Sequence, residues 1–227
     1  MKIHVHSIVW NAEYLMPYFL RHYTQFAKVF IIDDHSTDKT VLIAKYFPDV
    51  KVETYPYKGL HNEDNHSKCL IDSCKRNSKD ADWVMCVDQD EFIYHPDMHS
   101  ILALNAGIMK PRAYMMISKE VPKGKGQIYD EVKTGVRTPK FDKPVIFNPE
   151  IKLEFGNGRH TVTSEVEPIE TALKLLHYKY LSRDYYHKRA KMDYPKWEGM
   201  DKKTIKYRIN KGLRWFDDHI DNNDVII

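Results

Sequence analysis

Trp83-Val84-Met85-Cys86-Val87-Asp88-Gln89-Asp90-Glu91-Phe92 runs from an apolar stretch directly into two aspartates. The five residues before Asp88 read as a buried strand. In extended backbone, residues two apart point the same way, so Asp88 and Asp90 are expected to present their carboxylates together while Gln89 faces the opposite side. Two converging carboxylates at a strand end suit a hard divalent cation. Such an ion in turn suits a substrate rich in phosphate oxygens, whose charge it neutralises and whose leaving group it stabilises. Spacings this short also recur by chance, and Asp80-Ala81-Asp82 is read as one such coincidence. Context has to decide between the two.

Working outward, strand-like and helix-like segments alternate through the first half of the chain, the pattern of an α/β fold with a mostly parallel sheet covered by helices on both faces. Residues 2–10 read as the first strand. Asn11 is placed to cap a helix in which Leu15, Phe19, Leu20, Tyr23 and Phe26 recur at helical spacing. Val29–Ile32 reads as a second strand. The polar run Asp33–Thr40 follows, with Asp38 as a cap for a helix that ends near Phe47, before Pro48. Val50–Tyr55 is a third strand, residues 62–78 a third helix and Trp83–Val87 a fourth strand. Ligands of open sheets sit beyond the carboxyl ends of the strands. Three polar clusters fall there: Trp10-Asn11, Asp33-Asp34 and Asp88–Asp90. Beyond about residue 105, glycine and proline punctuate the chain, which predicts short strands and mobile loops able to shape specificity. Helices are expected again over 183–192 and about 202–220.

The chain has 227 residues, 42% hydrophobic and 30% charged, and a net charge of +3. This composition fits one soluble globular domain over residues 1–227 rather than a disordered chain. The small net charge argues against a dedicated nucleic-acid surface. Basic residues gather between Lys179 and Arg214, a stretch suited to water, phosphate or acidic lipid, so peripheral membrane contact stays open. Three cysteines without a CxxC pair indicate neither a disulfide framework nor structural zinc, and a reducing, cytoplasmic setting is expected. No signal peptide or membrane-spanning run is read.

With these residues placed, the chain resembles the glycosyltransferases of the GT-A fold, within their family 2-like group. Val5–Asn11 looks like the family's opening strand and Asn-containing turn. Ile31-Ile32-Asp33-Asp34-His35-Ser36-Thr37-Asp38-Lys39-Thr40 looks like its Asp-Asp-x-Ser-x-Asp-x-Thr signature, and Asp88-Gln89-Asp90-Glu91-Phe92 resembles the DxD motif in the extended form of one branch. Leu176–Lys188 resembles that branch's His-Tyr…Ser…Lys segment. The resemblance implies a Rossmann-like sheet, with residues 1–104 as the nucleotide-binding half and 105–227 as the acceptor-binding and C-terminal helical half. It also implies transfer of a sugar from a nucleotide diphosphate donor, a UDP-sugar first among them, to a glycan or glycolipid hydroxyl. Asp34, with Asp33 beside it, would then meet the nucleobase in a pocket lined by Ile8 and Trp10. Asp88 and Asp90 would hold Mn²⁺ or Mg²⁺ against the diphosphate, with His177 completing the ligand set. The mixed nitrogen and oxygen donors suit Mn²⁺ better than Ca²⁺.

Departure of a nucleoside diphosphate separates charge, and Lys188 or Arg183 on the late helix is a candidate to help at the phosphate end. Lys68 and His66 are further candidates to reach the phosphates. An inverting displacement needs a base for the acceptor proton. His160, in Gly158-Arg159-His160-Thr161, is the first candidate, ahead of Glu150, Glu154 and Asp130. Glu91 is expected to support the strand end through hydrogen bonds. Two readings of other classes stand beside this one: a metal-dependent nucleotide or sugar phosphohydrolase, and a non-catalytic nucleotide-sugar-binding module. The Asp33–Thr40 signature counts against the hydrolase, and the intact Asp88 and Asp90 against the module.

Overall fold

The computed structural model describes residues 1–227. The first half forms β1 (Ile3–Val9), α1 (Met16–Tyr23), β2 (Lys28–Asp33), α2 (Thr40–Lys45), β3 (Val50–Thr54), α3 (Glu63–Asn77) and β4 (Trp83–Cys86). All seven agree with the sequence reading to within a few residues. Asn11 does not cap α1, because the backbone there turns left-handed (φ 44°) and the helix begins only after Leu15, with Pro17 in its first turn. Asp38 does support the start of α2, accepting from the Thr40 N–H at 2.9 Å. Asn62 caps α3 by accepting from the Asn65 N–H at 3.0 Å.

The second half holds β5 (Glu91–Tyr94), α4 (Met98–Ala103), β6 (Ile108–Ile117), α5 (Ile128–Glu131), β7 (Thr134–Arg137), β8 (Ile146–Phe147), β9 (Leu153–Phe155), β10 (Val162–Ser164), β11 (Pro168–Tyr180), α6 (Arg183–Asp193), α7 (Lys202–His219) and β12 (Asp224–Val225). Two of these strands are long: β6 has 10 residues and β11 has 13, where only short strands were expected. They pair in parallel with each other and build most of this half.

A ten-stranded mixed sheet runs β12-β7-β6-β8-β4-β1-β2-β3, with β11 paired to β6 and β5 paired to β11. The expected parallel pairing holds across β3-β2-β1-β4 and between β6 and β11, whereas β5, β7, β8 and β12 join antiparallel. β1 sits inside the parallel block and every one of its residues is buried. Ile3, Val5 and Val9 enter the main core with Leu15, Phe19 and Tyr23 on one side of the sheet. Ile8 packs with Ile32, Cys69 and Leu70 of the α3 side. Alternation along β1 thus attaches one helix layer to each face. No helix is long and apolar enough to cross a membrane.

Candidate functional site

A cleft of about 690 Å³ opens at the carboxyl ends of β1, β2 and β4, where the three polar clusters were expected. Ile8, Trp10, Asp34, Asp88, Asp90, His160, His177 and Lys188 all line it. Asp33 does not. Its carboxylate turns back to accept from the Ser36 N–H at 3.1 Å, so it anchors the loop after β2 instead of facing a ligand. Lys68 is exposed on α3 and lies outside the cleft. Arg183 is held by Asp217 at 2.8 Å on the surface. Asp130 caps its own short helix by accepting from the Gln127 N–H at 3.0 Å, and neither Glu150 nor Glu154 lines the cleft.

The Asp88–Asp90 motif is a turn rather than the end of an extended strand, closed by the Glu91 N–H donating to the Asp88 carbonyl at 3.0 Å. The two-apart rule therefore fails, and the aspartates take different partners. One Asp88 oxygen is held by Arg159 and the other accepts from Lys143 Nζ at 3.2 Å. Asp90 Oδ2 lies 3.1 Å from His177 Nε2. Gln89, expected on the far side, accepts from the Trp10 N–H at 3.1 Å and lines the same cleft. His177 reaches Asp90 because β11 pairs antiparallel with β5, setting His177 across from Glu91.

Beneath this turn lies an ionic cluster that the sequence reading missed. Glu91 is fully buried, takes Lys143 Nζ at 2.5 Å and accepts from the Asp88 N–H at 3.0 Å, which is the supporting role expected of it. Lys143 and Arg159 are only 4% and 3% exposed. Burial works to raise the Asp88 pKa, but the charges of Arg159 and Lys143 outweigh it and hold the carboxyl well below its ordinary range. Burial likewise opposes the Lys143 ammonium, and Glu91 and Asp88 overcome it, leaving the pKa raised. His66 is driven down to about 3, by burial first and by the Arg159 charge second. His160 packs its ring 5.3 Å from Phe141, and burial followed by Lys143 lowers its pKa, so it is neutral at pH 7.

The cleft is closed at its Asp34 end by α6 and the segment after it. Lys196 Nζ meets Asp34 Oδ2 at 2.5 Å and sits 4.2 Å from the Trp10 ring centre. Arg189 donates to the Trp10 carbonyl at 2.8 Å and pairs with Asp193 at 2.9 Å. Asp193 also lines the cleft, and burial raises its pKa. The three non-glycine residues with left-handed backbone are Asn11 after β1, His35 after β2 and Arg159 against Asp88, and such strain is common at functional sites. The only sequence signals for Lys143 and Arg159 were their positions beside Pro144 and Gly158, which marked turns but gave no partner.

Asp88, Asp90 and His177 share the cleft without converging as a three-residue metal group. Asp88 has no oxygen free of a cation. Asp90 and His177 remain as one oxygen and one nitrogen at 3.1 Å, the separation of neighbouring ligands on an ion whose bonds are about 2.1–2.2 Å. The residues present thus fit a two-residue Mn²⁺ or Mg²⁺ position with the other places left to water and phosphate, and not the three-residue set.

No protein-family model matches the chain, and no curated protein matches it. Among solved structures it is similar to TarS of S. aureus, at 14% identity and a TM-score of 0.48 over 95% of this chain and 43% of that one. A structure of TarS residues 1–349 gives 15% identity and a TM-score of 0.49, over 98% of this chain and 74% of that one. Glucosyl-3-phosphoglycerate synthase of Mycobacterium tuberculosis, in complex with Mn²⁺, uridine diphosphate and glucosyl-3-phosphoglycerate, matches half of this chain and 44% of its own at 18% identity and a TM-score of 0.37.

Proposed function

We propose that this chain is a GT-A-type glycosyltransferase that moves a sugar from a nucleoside diphosphate donor, a UDP-sugar first among them, to a hydroxyl of a glycan or glycolipid, with inversion. The observation that carries this reading is the single cleft that gathers Ile8, Trp10, Asp34, Asp90 and His177 from the ends of β1, β2, β4 and β11. Ile8 and Trp10 supply an apolar wall for the base, and Asp34 supplies a hydrogen-bond acceptor for its edge. A divalent ion held by Asp90 and His177 would neutralise charge on the departing diphosphate. Lys179 and Lys188 line the same cleft without an acid partner and add fixed positive charge at that end. His160 is the base in this reading: it lines the cleft, and burial lowers its pKa, which favours the neutral imidazole a base needs. Asp88 enters as an anchor that holds Arg159, and through it the turn carrying His160.

The test is to incubate the chain with UDP-sugars and other nucleotide sugars, with glycan and glycolipid acceptors, in the presence of Mn²⁺ and Mg²⁺, and to seek glycosylated product by mass spectrometry. Free sugar as the sole product under every condition would favour the hydrolase. Failure of any nucleoside diphosphate to bind would remove the reading altogether.

A further inference from the structure

Residues 179–214 contain twelve Lys and Arg against four Asp and Glu, a net charge of +8. The whole chain carries +3; Asp217, Asp218, Asp221 and Asp224, just beyond this stretch, supply most of the balancing negative charge, and residues 1–178 sum to −1. The positive charge is concentrated on α7. Between Lys202 and Phe216 that helix has no acidic residue, and its six cations, Lys202, Lys203, Lys206, Arg208, Lys211 and Arg214, have no salt-bridge partner. Five of the cationic side chains elsewhere in this stretch do have defined roles: Arg183 pairs with Asp217, Arg189 with Asp193 and Lys196 with Asp34, while Lys179 and Lys188 line the cleft.

Helical geometry orders the unpaired charges. Ile209, Gly212 and Phe216 are buried and fix the inner side of α7. At about 100° per residue, Lys203, Tyr207, Lys211 and Arg214 fall within a narrow arc on the opposite side. All four are exposed, and Tyr207 is 57% exposed. Asp218 ends the arc, while Asp217 and Asp221 are taken up by Arg183 and Lys119. With its apolar side already packed, α7 has charge and one aromatic ring to present, and nothing to insert deeply.

We propose that the outer face of α7 docks this chain on an anionic lipid bilayer. Charge complementarity selects that partner: a planar, diffuse negative surface matches a row of exposed, unpaired cations. α6, packed against α7, lines the cleft with Tyr185, Tyr186 and Lys188, so docking brings the cleft beside the headgroup layer. This contact stands independently of the transfer reaction.

The experiment is co-sedimentation of the full chain with vesicles of phosphatidylcholine alone or with about 30% phosphatidylserine, at low and physiological salt. Binding to the anionic vesicles alone, weakened by salt, is expected. The combined variant Lys203→Gln, Lys206→Gln, Lys211→Gln, Arg214→Gln keeps good helix formers, and circular dichroism verifies its fold. Each neutralised cation near the bilayer is expected to weaken binding about five-fold, so the variant should lose at least a hundred-fold. A control variant, Lys28→Gln with Lys51→Gln on the sheet, should bind as the parent does. Equal binding to both vesicle types, undiminished binding of the α7 variant, or binding to heparin or duplex DNA with none to anionic vesicles would each overturn the proposal.

Discussion

Lowering the pH from 7 to 5 should remove a large part of the chain's stability, because three histidines are buried in forms that cannot take a proton. His6 is fully buried with Nδ1 at 2.9 Å from Ser73 Oγ and Nε2 at 2.7 Å from Ser78 Oγ. His22 lies 2.9 Å from the Ile93 carbonyl through Nε2. His66 Nδ1 faces Arg159 Nη1 at 3.4 Å, where a second positive charge would be repelled. Burial lowers their pKa values to about 3, about 4 and about 3. In the unfolded chain each titrates near 6.5. The unfolded state therefore binds protons first, and the stabilisation present above pH 6.5 is lost as pH falls toward 4. Each histidine costs about 1.9 kcal/mol between pH 7 and pH 5, or about 6 kcal/mol for the three, against a typical total of 5–15 kcal/mol. His4 and His160, also lowered, act in the same direction, while Asp193, raised by burial, offsets part of the loss. Asp88 and Asp90 are held low and stay ionised throughout this range. Urea unfolding followed by tryptophan fluorescence at pH 7, 6 and 5 measures the slope. A stability that is flat or rising on acidification would refute the burial of neutral histidines.

Lys143→Met leaves Glu91 buried without its cation and should cost about 3–5 kcal/mol in urea unfolding, most of it recovered when Glu91→Gln is added. Gly212→Ala places a Cβ 1.8 Å from the Tyr186 hydroxyl and should destabilise the α6–α7 contact by about 1–3 kcal/mol, read as a lower thermal midpoint. With only Asp90 and His177 free to ligate, Mn²⁺ should register in calorimetry when UDP is present and not alone; saturable binding of Mn²⁺ by itself would contradict the two-residue position.

Periodicity made the first half of the fold legible. Parallel strands buried on both faces read as continuous apolar runs, and β2 and β4 are such runs, each followed by a polar break, whereas β1 buries His4, His6 and Ser7 among its apolar residues. The same logic located the cleft, since open sheets expose ligand sites at those breaks. It failed at Gln89, where a four-residue turn replaces extended backbone and sends Asp88 and Asp90 to different partners. It also failed for β6 and β11, whose register sets Ile108 against Pro168 and Met109 against Ile169, partners far apart in the chain that no local pattern encodes. Lys143, Arg159 and Lys196 were missed for the same reason: each meets its carboxylate across 55, 71 and 162 residues of chain. A lysine beside a proline or an arginine after a glycine says where the backbone turns, and nothing about which aspartate waits there.

Asp88 is where these points meet. A simple metal ligand would be expendable to the fold when no metal is present, whereas the structure uses it to hold Arg159, whose backbone is left-handed at φ 58° and whose buried Nε has no partner of its own. Left-handed backbone in a non-glycine residue costs about 1 kcal/mol or more and persists where surrounding contacts enforce it. Asp88→Asn keeps the shape and removes the charge, leaving two buried cations to share Glu91. Losing one partner of a buried pair costs about 3–5 kcal/mol; with the Asp88 side chain 34% exposed the figure is discounted to about 2 kcal/mol. The turn carrying His160 should loosen with it, since Arg159 is the preceding residue. Urea unfolding in the presence of a chelator separates the two roles: a loss near that size without any metal marks Asp88 as an anchor of the cleft, and an unchanged midpoint would return it to the metal.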